Sequence, residues 1–348
     1  MRITQNSLKR NYFNRMSTNF NNLYKSNEKL SSQSNYNRVS DNTAQTSRAF
    51  QIRENLYHNE QWNENMSNAQ GELNVVEDAL MTAENYIKEI NSLLIQAATA
   101  TISPDQRKMI GTEIEQIRNE MIQIANTKFG DKYVFANSGR YNEPPFNVNP
   151  AGQLTFNGYV VDDMEKNPAT GNIAIKTPGN PPTYTDLNYN KDIYIDIGIG
   201  MNMSGYGADV EVDTKSMFKL STSGLEAFGY GVDKNGKSKN LISVLGRIAN
   251  ACNTNNVDEI AGFIPDMVTL NDDMLMSLTD IGVRARYLED TIAINEEQNI
   301  NFKEVQNSIE AVNLAEEMVN NKVYEMSWMV TLQMGSKLIP PSIFDFMR

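Results

Sequence analysis

Between residues 62 and 97, small and apolar side chains recur at Trp62, Met66, Ala69, Leu73, Val76, Leu80, Ala83, Ile87, Ile90, Leu94 and Ala97. The steps alternate four and three without interruption. That is the spacing of a seam along one face of an α-helix packed lengthwise against other helices. No proline and a single glycine, Gly71, fall inside the stretch. The pattern extends back through Ile52, weakened by Asn55 and Asn59. It predicts a helix from about Thr43 to Ala98, roughly 80 Å long at 1.5 Å per residue. A compact domain does not need a helix of that length, so the rest of the chain must supply partners along it.

Two later segments fit that role. Ser103-Pro104-Asp105-Gln106 combines an N-cap serine, a proline in the first turn and a glutamine at the third helical position, a strong helix start. The helix it opens carries Ile110, Ile114, Ile117, Met121 and Ile124 and is expected to end near Phe129-Gly130, with the glycine as cap. Joined by the short turn at 99–103, the two helices form an antiparallel hairpin. Helical period returns at Leu241, Leu245 and Ile248. After a turn at 253–256 a second long helix, with Pro265 near its start, carries Met274, Leu278, Ile281, Ala285, Leu288 and Ile292. Asn295 and Asn299 interrupt that stripe. It resumes through Phe302, Val305, Ile309 and Val312 to Val319, Val323, Met326 and Val330, with a phase slip near 299–305 that should disturb the coil.

Between these helical parts the composition changes. Pro144, Pro145, Pro150, Pro168, Pro178, Pro181 and Pro182 punctuate residues 139–240, with many Gly and Asn. Short alternating or β-branched runs at 153–156, 172–176, 191–199 and 208–212 read as strands of a small domain of hairpins. Asp233-Lys234-Asn235-Gly236 reads as a turn, and 217–220 as the edge leading out. The fold class is therefore mainly α with an inserted β-rich domain, the helical rod being built from both ends of the chain. The expected division is 1–42 with 310–348 as terminal arms, 43–138 with 241–309 as the rod, and 139–240 as the insertion.

The terminal arms carry thinner stripes. Leu8, Tyr12, Met16, Phe20, Leu23 and Leu30 keep helical spacing, flanked by Phe13 and Tyr24, but Asn and Ser fill the rest. Asn and Ser compete for the backbone and weaken a helix, so this arm should need a partner. Residues 31–43 are rich in loop and cap types, and Asp41 or Thr43 is a candidate cap for the long helix. The N-terminal arm is basic, with Arg2, Lys9, Arg10, Arg15, Lys25, Lys29 and Arg38 against Glu28 and Asp41. The C-terminal arm from Glu310 on holds five acids and three bases. The two should pair as helices, with charge setting register. Leu8, Phe13, Phe20, Leu23, Val323, Met326, Val330, Leu338, Ile339 and Phe344 are the candidate subunit contacts.

Composition removes most chemistry. The 348 residues hold one Cys, Cys252, and one His, His58, so thiolate clusters, multi-His metal sites and disulfides within the chain are excluded. The formal net charge of −12 argues against a nucleic-acid partner. No run of about 18 apolar residues suits membrane insertion, and the N-terminus lacks the apolar core of a secretory signal. His58, on a polar helix turn, reads as an exposed residue without a role. Gly198 and Gly200 read as a β-turn, because no helix or acidic partner follows as a phosphate loop requires. Asp162, Asp163 and Asp196 lack calcium-loop spacing and read as solvated turn residues, and Cys252 as a small buried residue. No cofactor, metal or catalytic residue is assigned.

Split helical ends around a β insertion, together with several motifs, resemble bacterial flagellin and its relatives. Leu30-Ser31-Ser32-Gln33, then Arg38-Val39, then Asp41-Asn42, is similar to the family's Leu-Ser-Ser-Gly, Arg-(Ile/Val) and Asp-Asp signature, with Gln33 in place of the usual Gly and Asn42 in place of the second Asp. Ala125-Asn126 before Phe129 resembles the family's Ala-Asn segment. Gly282 and Arg284 fall in a stretch similar to the C-terminal signatures, as does 308–316, where Asn313 replaces the usual Asp. The start Met1-Arg2-Ile3-Thr4 and the end Ser342-Ile343-Phe344-Asp345-Phe346-Met347 are similar to the branch of the family that joins hook to filament. The resemblance implies a non-enzymatic structural subunit on the cell exterior, exported unfolded by the flagellar type III route with a chaperone and without a cleaved signal. It implies a homo-oligomeric ring touching a neighbouring hook-associated protein and flagellin. A flagellin-type filament subunit, or a coiled-coil stalk bearing a carbohydrate- or surface-binding β domain, are the alternatives.

Overall fold

The structure, a computed structural model, describes residues 5–137, 143–177, 179, 182–187, 192–198, 200, 203–204, 211–212, 217–234 and 236–338. It is mainly helical at both ends, with a small β-rich middle. In chain order come α1 (Gln5–Ser32), α2 (Thr43–Ala98) and α3 (Pro104–Ala125). The middle follows with β1 (Lys128–Phe129), β2 (Lys132–Tyr133), β3 (Phe146–Val148), β4 (Leu154–Phe156), β5 (Tyr159–Val160), β6 (Met164–Lys166), β7 (Ile173–Thr177), β8 (Thr183–Asp186), β9 (Tyr194–Ile195), β10 (Met203–Ser204), β11 (Glu211–Val212) and β12 (Phe218–Lys219). The chain closes with α4 (Gly224–Phe228), α5 (Leu241–Asn253), α6 (Val257–Glu310) and α7 (Leu314–Leu338). It divides into two compact units, residues 1–60 with 296–348, and residues 61–295.

In the unit of residues 61–295 the four-three seam is the core. From Met66 to Ala97 every seam residue is at most 2% exposed. It shares one apolar cluster with Ile110, Ile114, Ile117 and Met121 of α3, with Leu245 and Ile248 of α5, and with Met274, Ile281 and Leu288 of α6. The expected capping box opens α3, with Gln106 N–H donating to Ser103 Oγ at 3.3 Å and Ser103 N–H donating to Gln106 Oε1 at 3.2 Å. Two buried arginines tie the turns. Arg107 donates to the carbonyls of Ala97 (2.8 Å) and Thr99 (3.1 Å) and to Asn255, completing acceptors left open at the end of α2. Arg118 donates to Ile242 O at 3.3 Å and Gly152 O at 3.1 Å and pairs with Glu115 at 2.8 Å.

The helix expected to reach Phe129-Gly130 instead stops at Ala125. Asn126 caps it, and its side-chain amide bonds both backbone polar groups of Phe146, at 2.8 and 2.9 Å. That pairing draws the chain off the helix and leads β3 against its end. The following residues form the β1–β2 hairpin around Gly130, whose φ is +59°.

The β region consists of small antiparallel pieces. β3–β4–β5 and β6–β7–β8 are three-stranded meanders, and β1–β2, β10–β11 and β9–β12 are two-stranded ribbons. Among the described residues, the runs at 191–199 and 208–212 contribute two-residue strands. Phe135, Phe146, Phe156 and Phe228 form its aromatic centre, with ring centroids 5.0–6.0 Å apart. Gly198 is a packing turn: at φ +87° a Cβ there would collide with the Trp62 indole. Asp196 fixes that turn by accepting from Trp62 Nε1 (3.2 Å) and Gly198 N–H (2.9 Å). Asp162 accepts from Ser238 Oγ (2.6 Å) and pairs with Arg247 (3.1 Å). Both aspartates are structural anchors rather than the solvated residues expected.

Cys252 is fully buried, and burial pushes its thiol up to about 11 against the opposing effect of nearby Arg107. It lies where α3 packs tightly on α5. A Cβ on Gly111 would come within 2.9 Å of Cys252 Cβ and 3.0 Å of the Ala249 carbonyl. Gly262 in α6 has nothing within 4 Å of the corresponding point. Gly111→Val should therefore destabilise the protein by about 2 kcal/mol through overpacking. Gly262→Ala should stabilise it by up to about 1 kcal/mol through helix propensity. Denaturant titration of both variants reads the two signs, and equal signs would contradict this packing.

Candidate assembly surface of the terminal helices

In the unit of residues 1–60 and 296–348, α1 packs on α7 through a mixed polar and aromatic face. Asn19 donates to Thr331 Oγ1 at 2.7 Å. Asn321 donates to buried Ser26 at 3.2 Å and to Asn27 at 2.8 Å. Phe20 meets Trp328 with centroids 5.3 Å apart. Gly335 lies against the Tyr12 ring so closely that a Cβ would overlap its hydroxyl. The two arms pair as helices, but charge does not set their register. Among the described residues no ion pair joins α1 to α7. Lys25 turns to Asp41 (3.7 Å) and Glu28 to Arg38 (3.8 Å), while Lys322 pairs with Glu325 within α7 (2.7 Å). The facing residues are Asn, Ser, Thr and aromatics, which leaves the acids and bases outside the contact.

The far side of α7 has a second seam. Val319, Val323, Met326, Val330 and Met334 follow at steps of four, three, four and four, on the face opposite Asn321, Trp328 and Gly335. They are 64, 49, 52, 53 and 60% exposed. A helix apolar on both sides is covered on both sides when it functions, and α1 covers one side only. On α1, Leu8, Phe13 and Tyr24 are exposed and Phe20 is half exposed at the edge of the Trp328 contact. Leu23 is half-buried on the Asn19–Ser26 face. Leu338 is the last residue of α7, and Ile339 and Phe344 lie outside the described residues.

The terminal pair is anchored by a joint. The helix expected to run on past residue 312 stops at Glu310, continuous through the phase slip at 299–305. Its next residues turn to pair with the α1–α2 loop. Asn35 N–H donates to Glu310 O (2.8 Å), Val312 N–H to Gln33 O (3.2 Å) and the Asn35 side chain to Ala311 O (2.7 Å). Arg53 pairs with Glu310 at 2.8 Å, and Asn313 restarts the helix by capping Glu316 N–H at 3.4 Å. The cap of α2 is Asn42, which accepts from Gln45 N–H at 3.2 Å, rather than Asp41 or Thr43. Asp41 is occupied by Arg38 N–H (3.1 Å) and Lys25. The groove beside the joint, about 290 Å³, is edged by exposed Val39 and Phe50.

The signature residues do not form one site. Leu30, Ser31, Ser32, Arg38 and Asp41 gather at the joint. Ser32 Oγ accepts from Ser34 N–H at 3.3 Å. Ala125 and Asn126 end α3, and Gly282 and Arg284 lie on α6, where Arg284 donates to Ser221 O at 3.3 Å and pairs with Asp280. The resolved acid shifts lie in the other unit: burial raises Glu72 against nearby Lys132, and bonds from Asn167, Thr170 and Asn172 lower Asp186. Among the described residues no three His, Cys, Asp or Glu side chains converge as metal ligands, and no helix is long and apolar enough to cross a membrane. Sequence reasoning missed the joint. Its available signal was Gln33, which stands where the flagellin signature has glycine and takes φ +56°.

The model of the bacterial flagellin N-terminal helical region matches residues 3–140. A flagellin of Clostridium tyrobutyricum is 30% identical over 130 residues, 36% of this chain, and the aligned part spans about a third (34%) of that relative's length. A structure described as a candidate flagellar hook-associated protein of Vibrio parahaemolyticus superposes with a TM-score of 0.53 at 14% identity, covering 78% of this chain and 100% of that one. Bacillus cereus FlgL gives a TM-score of 0.49 at 19% identity, covering 74% and 99%.

Gln33 at the end of α1 is in the left-handed region that glycine adopts without strain. Gln33→Gly should raise the stability of the α1–α2 joint by about 1 kcal/mol, read as slower amide exchange at residues 30–35; faster exchange would contradict the assignment. Residues 3–140 are thus similar to the flagellin N-terminal helical region, and the fold is similar to that of a flagellar hook-associated protein.

Proposed function

We propose that this chain is a non-enzymatic structural subunit of the bacterial flagellum that joins hook to filament. The observation that carries the reading is the four-three-four-four seam of α7, an apolar strip that is exposed among the described residues. The flagellin-type region at residues 3–140 and the hook-associated fold support the flagellar context. The character of residues 1–4 and 342–347 favours the junction. In this reading 1–42 and 310–348 are assembly arms that order fully on neighbouring subunits, 43–138 with 241–309 form a rod, and 139–240 faces outward. Copies form a homo-oligomeric ring against a neighbouring hook-associated protein on one side and flagellin on the other. Before export the exposed seam suits a flagellar chaperone, and the subunit ends on the cell exterior.

The relative from Clostridium tyrobutyricum favours a second reading, a subunit of the filament itself. Electron microscopy separates the two. Cells lacking this chain should bear hooks without filaments and release flagellin to the medium. Complementation with Val323→Asp/Val330→Asp should leave the same bare hooks while the purified variant keeps its helical content, because two carboxylates in an apolar seam are costly to desolvate. Filaments of normal number in the deletion strain would overturn the junction reading. Unaided polymerisation of the purified chain into long filaments would favour the second.

A further inference from the structure

The groove beside the joint brings exposed apolar side chains and arginines together. Val39 and Phe50 are each more than half exposed at its edge, and Arg38 and Arg53 line it. Arg53 lies over the Phe50 ring at 5.9 Å and is neutralised by Glu310 at 2.8 Å. Arg38 differs. Its partner Glu28 stands 3.8 Å away, beyond hydrogen-bonding length, which leaves the guanidinium fork to a closer carboxylate. At about 290 Å³ the groove is at the small end of ligand clefts and suits a few side chains of an extended segment.

We propose that this groove receives Phe344-Asp345-Phe346 of a second copy of this chain. The inference rests on the reading, given above, that copies associate in a ring. Phe344-Asp345-Phe346 is the one place in the sequence where an acid stands between two aromatic residues. That pattern complements a cation set between apolar edges. Pro340-Pro341 precede it, and proline does not continue a helix, so the segment suits an extended dock. It belongs to residues 339–348, which lie outside the described residues. Reach excludes the groove of its own chain. From the joint, α7 runs 25 residues out to Leu338, about 37 Å at 1.5 Å per residue. Phe346 follows Leu338 by eight residues, and that length of chain spans at most about 29 Å when fully extended. A second copy must therefore supply the segment. The contact joins unlike surfaces of two copies, the kind that repeats head to tail and closes rings.

The test titrates a fluorescent peptide, with the sequence of residues 338–348, with the full-length chain and follows its anisotropy. Binding should saturate. Phe344→Ser in the peptide, or Phe50→Ser in the chain, should weaken it about tenfold or more, as loss of an aromatic anchor does. Arg38→Asp in the chain should weaken it about tenfold, and a peptide with Asp345→Arg should recover that loss on the Arg38→Asp chain. Phe50 and Arg38 are exposed, so these chains should keep their helical content by circular dichroism, and the charge-swap recovery reads docking independently of any change in folding. Absence of saturable binding overturns the inference. So does binding unchanged by both Phe50→Ser and Arg38→Asp, and so does binding that is lost in the Val323→Asp/Val330→Asp chain but kept in Phe50→Ser, which would place the peptide on α7. The titration needs no hook or filament, so its failure leaves the junction reading standing. Filaments of normal number in the deletion strain overturn that reading instead.

Discussion

Burial of one unbroken apolar seam holds this protein. Each fully buried Leu or Ile contributes about 1.5–3 kcal/mol relative to exposure, and α2 places such residues at Leu73, Leu80, Ile87, Ile90 and Leu94 with no accessible surface. Three helices cover them, and the close passages depend on small residues. Gly111 lets α3 lie on Cys252 and Ala249, and Gly246 leaves room for the Arg118 guanidinium. The buried arginines close the turns that a long helix cannot close for itself. The unit of residues 61–295 is thereby complete within the chain: its apolar stripe faces inward and the β pieces add an aromatic centre of their own.

The terminal unit follows another principle. Its helices meet through Asn19, Ser26, Asn321 and Thr331, contacts that fix geometry and add little net stability because water competes for the same groups. Its apolar residues are divided between an inner face and an outer seam that runs alongside the contact with α1. A contiguous exposed apolar strip of that kind marks an interaction surface. The core of residues 61–295 is closed within its own unit, while the terminal pair leaves the outer seam of α7 exposed among the described residues.

The sequence was most legible where one periodicity ran long. The bounds of α2, the capping box of α3 and the buried face of α6 all followed from spacing, because core burial and helical period demanded the same residues. It was least legible where side chains bonded distant backbone. Asn126 ends α3 by pairing with Phe146, twenty residues away, and Glu310 ends α6 by receiving Asn35. Both are polar contacts between residues far apart in the chain, outside the reach of helical spacing, and they moved two helix ends. The arms were legible as paired helices, but the charge balance of Lys25, Glu28 and Asp41 pointed to α7 when those groups are used by the loop at 38–41. The outer seam of α7 was visible at Val323, Met326 and Val330. Val319 also lay in that stripe; the extension to Met334, and the exposure of the whole seam, needed the position of α1.

The most direct test of this division is backbone amide hydrogen exchange, measured on the isolated subunit and again after incorporation into flagella. The account predicts that amides at 73–94 are the slowest in the isolated chain, that those at 319–334 exchange orders of magnitude faster, and that incorporation slows 319–334 while leaving 73–94 unchanged. Equal protection of the two segments in the isolated chain, or no gain at 319–334 on incorporation, would contradict it.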